Sequence, residues 1–499
     1  MRAKLMAAAS LIACVSGPAG AETLREALAK AYSSNPTITG ARAQQRATDE
    51  NVPIARAAGL PSVNTSADFS QNLLRGGNSL TNPARRLNAF AGVTVPVYSG
   101  GAVRNSVRAA EIRVEGGEAT LRNTEATTFT DVVAAYNDVI RDEAIVGLNR
   151  QNVRVLETNL RASRDRFEVG DLTRTDVAQS EARLSLARAQ LQSVEASLIG
   201  SRENYVRLVG SAPGTLQPPP PLPNLDVTSD SAVEVALTDN PALLAAQRQR
   251  DASGYDVRVA RAARLPQLGV TVGQNYNNFF GSLGAGQGFS TQQSGTSTVA
   301  GLNVQMPIFQ GGRVGAQIRQ AQARRSVAME NVTATERPVI ANTRAAYAIW
   351  KSSMEVIKSA EVAVSANRLS LEGVRAENSV GNRTILEILN AEQELLNSQV
   401  TLVTARRDSY VAGFALLAAM GKAEAEDLGL EGGALYDPTL NFKRVRGKIS
   451  DFSNDPDPQP MATSTRGTAG QDAVVTGKLD PILDTPVDRE LGNPSGTPR

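Results

Sequence analysis

Histidine is absent from the 499 residues, and the one cysteine is Cys14. The commonest general base and the commonest metal ligand are therefore missing. Ser/His/Asp, Cys/His and His-based metal sites are excluded by composition. Paired-carboxylate chemistry stays open, but no pair stands out. Gly100-Gly101 and Gly311-Gly312 invite comparison with phosphate loops. No G-x-x-x-x-G-K-[ST] pattern follows either, so both read as breaks between a strand and a helix. Asp176 and Glu387, taken alone, are solvated helix charges, and Arg324-Arg325 is a wet face. The residue types point away from an enzyme and from any bound cofactor or metal.

The elements that carry these residues are unusual for a chain of this size. Aromatic residues make up only 4%, with a single Trp, which suits long helices better than a compact globule. Lys plus Arg number 52 against 50 for Asp plus Glu, so no basic excess marks a nucleic-acid partner. Residues 1–21 read as an export signal. Arg2 and Lys4 form its positive end, Leu5 to Val15 its apolar core, and Ala19-Gly20-Ala21 a small-residue cleavage site. A second reading makes Leu11-Ile12-Ala13-Cys14 a lipoprotein box with Cys14 acylated. Its apolar core would be only about six residues, short of the usual range of about 7–15, which favours cleavage before Glu22. No later run is long and apolar enough for a transmembrane helix.

The rest of the chain is written twice. Asn35-Pro36 recurs as Asn240-Pro241 and Leu60-Pro61 as Leu265-Pro266, both 205 residues on. VPVYSGG from Val95 recurs as MPIFQGG from Met306, Val169-Gly170 as Val380-Gly381, and Leu208-Val209-Gly210 as Ala419-Met420-Gly421, all 211 residues on. The extra six residues fall between Pro266 and Met306, most simply in a loop. This divides the chain into a first repeat (22–215), a Pro-rich linker (216–229), a second repeat (230–421), a short segment (422–444) and a tail (445–499). The tail is rich in Pro, Gly, Asp, Ser and Thr and reads as disordered.

Each repeat opens with a helical stretch, Thr23 to about Ala57 and Ser231 to about Ala263, ended by Leu-Pro. Two strands follow, Ser62–Gln71 with Asn88–Tyr98 and Gln267–Asn277 with Val299–Phe309. Val63, Thr65, Ala67 and Phe69 alternate with polar neighbours, as do Leu268, Val270 and Val272, and Leu302, Val304 and Met306. Each strand is about ten residues, the length that crosses a bilayer when tilted. A very long helix follows, Gly100 to about Phe167 and Gly311 to about Glu377, with a bend expected at Pro338. After a turn at Gly170 or Gly381, a return helix runs to Gly210 or Gly421. Ile340, Tyr347, Trp350, Met354, Ile357, Val364 and Leu371 recur at spacings of three, four and seven. So do Leu389, Leu396, Val400, Val403, Tyr410, Phe414 and Leu417. These are heptad seams of coiled coils. The long helices should reach about 100 Å.

Strands in lipid must close into a barrel, because an open edge leaves backbone groups unpaired. The smallest such barrels have about eight strands. Four strands cannot close alone, so several chains must contribute.

The duplicated plan, the VPVYSGG and MPIFQGG junctions, VGDLTRTDV from Val169 and VGNRTILEILNAEQEL from Val380 resemble the TolC family of outer-membrane channels. The resemblance runs from Glu22 to Gly421. It implies a homotrimer of mixed α and membrane-β class. Long antiparallel coiled-coil helices would form an α-barrel in the periplasm, and four strands per chain a shared 12-stranded β-barrel in outer-membrane lipid. It places residues 422–444 in an equatorial segment. It implies a conduit for drugs or secreted proteins, docked to a periplasmic adaptor and an inner-membrane ABC or proton-driven pump. By the same resemblance Asp176 and Arg383 are partners that hold the periplasmic aperture shut, and Glu387 and Asn390 ring it. The family has two acidic rings, whereas one position here is Asn, so three charges replace six and cation binding should be weaker. Asn378 stands where the family has a tyrosine near the second turn. The rival reading, a soluble periplasmic coiled-coil adaptor or structural protein, lacks support in this duplicated plan. An exported enzyme lacks a catalytic constellation.

Overall fold

A computed structural model describes residues 21–74, 82–222, 225, 228–284, 291–430, 435–475 and 479–483. The export signal, including Cys14, lies outside the described residues apart from its last position.

The opening helical stretch of each repeat is made of separate helices. In the first repeat α1 (Leu24–Ser34), α2 (Pro36–Asp49) and α3 (Asn51–Ala57) follow one another. The first break is at Asn35-Pro36, because a residue before proline is driven into extended backbone, and a second falls at Glu50. Asn35 has ψ 125° and its side chain accepts the Thr37 N–H at 2.8 Å, capping α2. Its amide then donates to the Leu208 carbonyl at 2.8 Å.

Strands β1 (Ser62–Gln71) and β2 (Arg85–Tyr98) lead into α4 (Ala102–Glu168) and the return helix α5 (Arg174–Val209). The second repeat repeats the order with α6 (Ser229–Asp239), α7 (Pro241–Ala262), β3 (Gln267–Asn278), β4 (Ser294–Gln305), α8 (Arg313–Ser379) and α9 (Ile385–Ala419). Asn240 does what Asn35 does. It caps α7 by accepting from Ala242 and Leu243, and it donates to the Ala419 carbonyl at 2.9 Å. The two Asn-Pro landmarks thus tie the start of each repeat to the end of its own return helix.

The four strands form one antiparallel sheet in the order β1-β2-β3-β4. β4 corrects the sequence expectation. It begins at Ser294 and stops at Gln305 instead of continuing to Phe309. Pro307 has no N–H for a ladder bond. Met306, Ile308 and Phe309 are consequently exposed and outside the sheet.

Each of α4 and α8 spans 67 residues, about 100 Å at helical rise. α8 runs unbroken through Pro338. The second heptad seam is largely packed: Val364, Leu371, Leu389, Leu396, Val403, Phe414 and Leu417 are buried, while Met354 is exposed. The main core gathers α1, α4, α5 and α9 around Phe129, Tyr136 and Tyr205, which are fully buried. The Tyr205 hydroxyl donates to the buried Glu22 carboxylate at 2.9 Å, and Glu22 also holds the Lys30 ammonium at 2.7 Å. The start of the first repeat is anchored there.

The tail also departs from expectation. α10 (Pro438–Val445) lies on α2, joined by an Asn441 to Asp49 hydrogen bond of 2.7 Å. Residues 463–475, with a short 3-10 turn at Thr465–Gly467, and 479–483 pack on the helices, whereas 447–461 are exposed. Leu483 is only 3% exposed. Composition underestimated this segment because a few apolar contacts and bonds to its backbone suffice to hold it.

Candidate functional site

Two surfaces are built by the repeats: the sheet at one end and the two helix turns at the other.

The strand register decides which residues share a face. Val63 faces Val93, Ala67 faces Ala89 and Phe69 faces Leu87. Val93 faces Val272, and Val95 faces Val270. Val270 faces Leu302, and Leu268 faces Val304. Directly opposed residues lie on the same side of an antiparallel pair, so these form one apolar face. The other side carries Ser62, Asn64, Asp68, Arg86, Asn88, Thr94 and Thr271, read from the same registers. Phe90 is an aromatic residue on that polar side. Its ring lies against Gly92 and Gly273, where an added Cβ would come within 2.4 and 2.5 Å of it. The apolar face is largely exposed in one chain, with Val63 at 72% and Leu302 at 67%. β1 and β4 remain open edges, and a sheet buried in lipid must lose them by pairing with further copies. Among the described residues no helix is long and apolar enough to cross a membrane.

At the opposite end, α4 turns into α5 at Gly170 and α8 turns into α9 at Gly381. Both glycines have positive φ, 83° and 81°, the left-handed backbone that glycine adopts without penalty at a helix end. Thr173 then caps α5, and Asp176 completes a reciprocal box. The Asp176 N–H donates to the Thr173 hydroxyl oxygen at 3.3 Å, and the Thr173 N–H donates to the Asp176 carboxylate at 3.0 Å. The Thr173 hydroxyl, which donates to the Asp176 carboxylate at 2.7 Å, and then the Thr173 N–H hold the Asp176 carboxyl below its ordinary pKa. Thr384 and Glu387 build the same box on α9, with the Thr384 N–H donating to Glu387 at 2.8 Å. That bond, followed by the Arg383 guanidinium, keeps the Glu387 carboxyl low.

Arg383 spans the second turn. It donates to Glu377 at 2.6 Å and to Glu387 at 2.8 Å, and both carboxylates push its pKa upward. Asn378 closes the same turn by donating to the Arg383 carbonyl at 2.7 Å. Within one chain, then, Asp176 is engaged by Thr173 and Arg383 by two glutamates, and the two are not joined to each other. Asn390 accepts from Arg183 of α5 at 2.9 Å. Sequence reasoning missed Arg183, which belongs to no motif and meets Asn390 only because the two hairpins lie side by side.

Above the turns sits a buried polar junction. Glu392 of α9 accepts two bonds of 3.0 Å from the Asn159 amide of α4 and one of 3.0 Å from Arg375 of α8. Burial raises the Glu392 pKa against the pull of both partners. Three long helices are fixed together at this point. Among the described residues no group of His, Cys, Asp or Glu could hold a metal ion.

Comparison with known proteins agrees with this plan. The outer membrane efflux protein family matches residues 27–211 and again residues 232–422, once per repeat. The outer membrane efflux protein BepC of Brucella suis is 34% identical over 450 residues, covering 89% of this chain and 96% of that protein. The outer membrane protein TolC of Escherichia coli is 26% identical over 439 residues, covering 84% of this chain and 86% of that protein. Among solved structures, the CmeC outer membrane channel of Campylobacter jejuni superposes with a TM-score of 0.72 at 16% identity, covering 86% of this chain and 90% of that one. Channels of the TolC type are trimers that work with inner-membrane pumps and periplasmic adaptors, and they are not enzymes. A lipid-facing sheet too narrow to close alone, hung on two copies of a 100 Å coiled coil, is one third of such a conduit: the chain belongs to the outer membrane efflux protein family and forms an outer-membrane channel that reaches into the periplasm.

Proposed function

We propose that the turns at Gly170 and Gly381 form the closing point of the conduit, and that Asp176, Arg383, Glu387 and Asn390 set its resting state. The observation that supports this most is the pairing of Arg183 with Asn390 at 2.9 Å. It joins the two hairpins of one chain within about three helical turns of the caps of α5 and α9. Arg383, held between Glu377 and Glu387, stiffens the second turn and presents its charge beside the aperture. With Asn390 neutral, three copies bring three Glu387 carboxylates to the rim, so cation preference there should be modest. The cargo is drugs or secreted proteins, handed over by an inner-membrane ABC or proton-driven pump through an adaptor seated on the hairpins.

Planar-bilayer recording tests the gate. The detergent-solubilised trimer should conduct weakly, and Arg183→Ala combined with Arg383→Ala should raise single-channel conductance. Parental conductance in the double variant would return both residues to the class of solvated helix charges. Deletion and complementation in the host tests the cargo. Loss of resistance to detergents and dyes points to a proton-driven partner, and loss of an extracellular protein to an ABC partner.

A further inference from the structure

The C-terminal tail crosses all four long helices. On α5, Arg202 donates to the Asp472 carbonyl at 2.8 Å and to the Val474 carbonyl at 2.8 Å, and it also pairs with the Asp472 carboxylate at 3.1 Å and with Glu143 of α4 at 2.6 Å. On α4, Arg150 donates to the Ala473 carbonyl at 3.0 Å. Leu479 lies on Gly147 of the same helix, where an added Cβ would sit 2.9 Å from its side chain. The path then reaches the second hairpin. Asp480 pairs with Arg406 of α9 at 2.9 Å, Gln399 of α9 donates to the Leu483 carbonyl at 2.9 Å, and Arg368 of α8 donates to the Ile482 carbonyl. Leu483 is buried in a cluster that takes Leu148 from α4, Val364 from α8 and Leu402 from α9.

These contacts are of two kinds. Three arginines and a glutamine grip backbone carbonyls, which fixes the path of the segment. Two leucines fill the seam between α4 and α9, beside a cavity of about 560 Å3 that Val475, Leu479 and Leu483 help to line. A segment held in this way resists any motion that slides one hairpin against the other. It crosses the seam near Gln399, fifteen residues from the Thr384 cap and so roughly 22 Å above the aperture.

We propose that Asp472–Val475 and Leu479–Leu483 act as a strap that locks the α4–α5 hairpin to the α8–α9 hairpin, and that its release accompanies opening of the aperture. The proposal rests on the reading of the two turns as the closing point. Individual exposed ion pairs are weak. The strap adds a buried leucine to several charge-assisted bonds and acts three times in a trimer, which is enough to bias a two-state gate.

Because Cys14 is the only native cysteine, introduced pairs can be oxidised cleanly. Gly147→Cys with Leu479→Cys in the full-length trimer places two thiols where the strap meets α4. Oxidation should lower the open probability in planar bilayers about tenfold relative to the same protein reduced. Truncation after Gly470 should raise it by a similar factor, with the trimer still intact on a detergent gel. Leu483→Asp in the full chain should act in the same direction as truncation, which covers the case of a truncated chain that fails to assemble. If the crosslink forms and open probability is the same oxidised, reduced and in Leu483→Asp, the strap is not part of the gate and the proposal falls. If the thiols do not crosslink, the strap does not occupy the seam and the proposal also falls. A failure of the gate reading itself looks different: Arg183→Ala with Arg383→Ala would leave conductance unchanged whatever the strap does.

Discussion

Asp176 and Glu387 stand 211 residues apart and perform the same act, each completing a capping box with the threonine three residues before it. Their equivalence follows from the internal repeat. It also changes how both carboxylates are understood: before either one meets a neighbouring chain or an ion, it holds the first turn of a return helix. The first repeat has no counterpart to Arg383, where Leu172 stands instead, so the second turn alone is braced by an arginine within the turn itself.

Removing a cap should therefore loosen a helix end without unfolding the protein. Thr173→Ala and Thr384→Ala should each cost roughly 1 kcal/mol locally. Hydrogen exchange should quicken in the first turn of α5 or α9, with the melting temperature of the trimer almost unmoved. Slow exchange in both variants would mean that neighbouring chains, and not the boxes, hold the turns.

Glu387→Gln should lower the preference for cations in reversal-potential measurements. The effect should be modest, since Arg383 lies 2.8 Å from that carboxylate and offsets its charge. Asn390→Asp should raise the preference by adding a second acidic ring. An unchanged reversal potential in both variants would place the selective constriction elsewhere.

The register specifies which strand substitutions are harmful. Val270→Arg and Leu302→Arg put a charge on the apolar face, at an expected cost of about 2–4 kcal/mol near the bilayer midplane. Outer-membrane trimer yield should fall. Thr271→Arg and Asn303→Arg point to the other side and should assemble normally. Equal yields from the two sets would contradict the assignment of the lipid face.

The core around Glu125 should be sensitive to pH. Burial raises Glu125 from 4.5 to about 7 despite Arg42 at 3.8 Å, and it raises Asp49 and Glu118 as well. A raised carboxyl favours the protonated form in the folded state. The contribution of Glu125 to stability is then greatest at low pH and falls as pH rises from the ordinary value of 4.5 through about 7. For Glu125 the difference amounts to roughly 3 kcal/mol per chain. Melting temperature should drop between pH 5 and pH 8, and Glu125→Gln should flatten that drop. A profile as steep in the variant as in the parent would shift the effect to other groups.

Much of this molecule is legible in one dimension. Strand alternation, the heptad seams, the Gly turns and the two copies of each depend on neighbours a few residues away, and local chemistry writes them into the chain. Four strands without closure already require further copies. The split of each opening helix at Asn-Pro was also written there, since proline removes the helical option from the residue before it. Other features depend on groups far apart in the chain. The outward face of the sheet needed the register of four strands. Arg183 reaches Asn390, and Glu392 reaches Asn159, across more than 200 residues. The tail was the least legible part. Its anchors are backbone carbonyls taken by Arg150, Arg202 and Arg368, and a carbonyl is the same in every residue. No pattern of side chains could announce that contact; only the folded helices, which hold those arginines in place, bring it about.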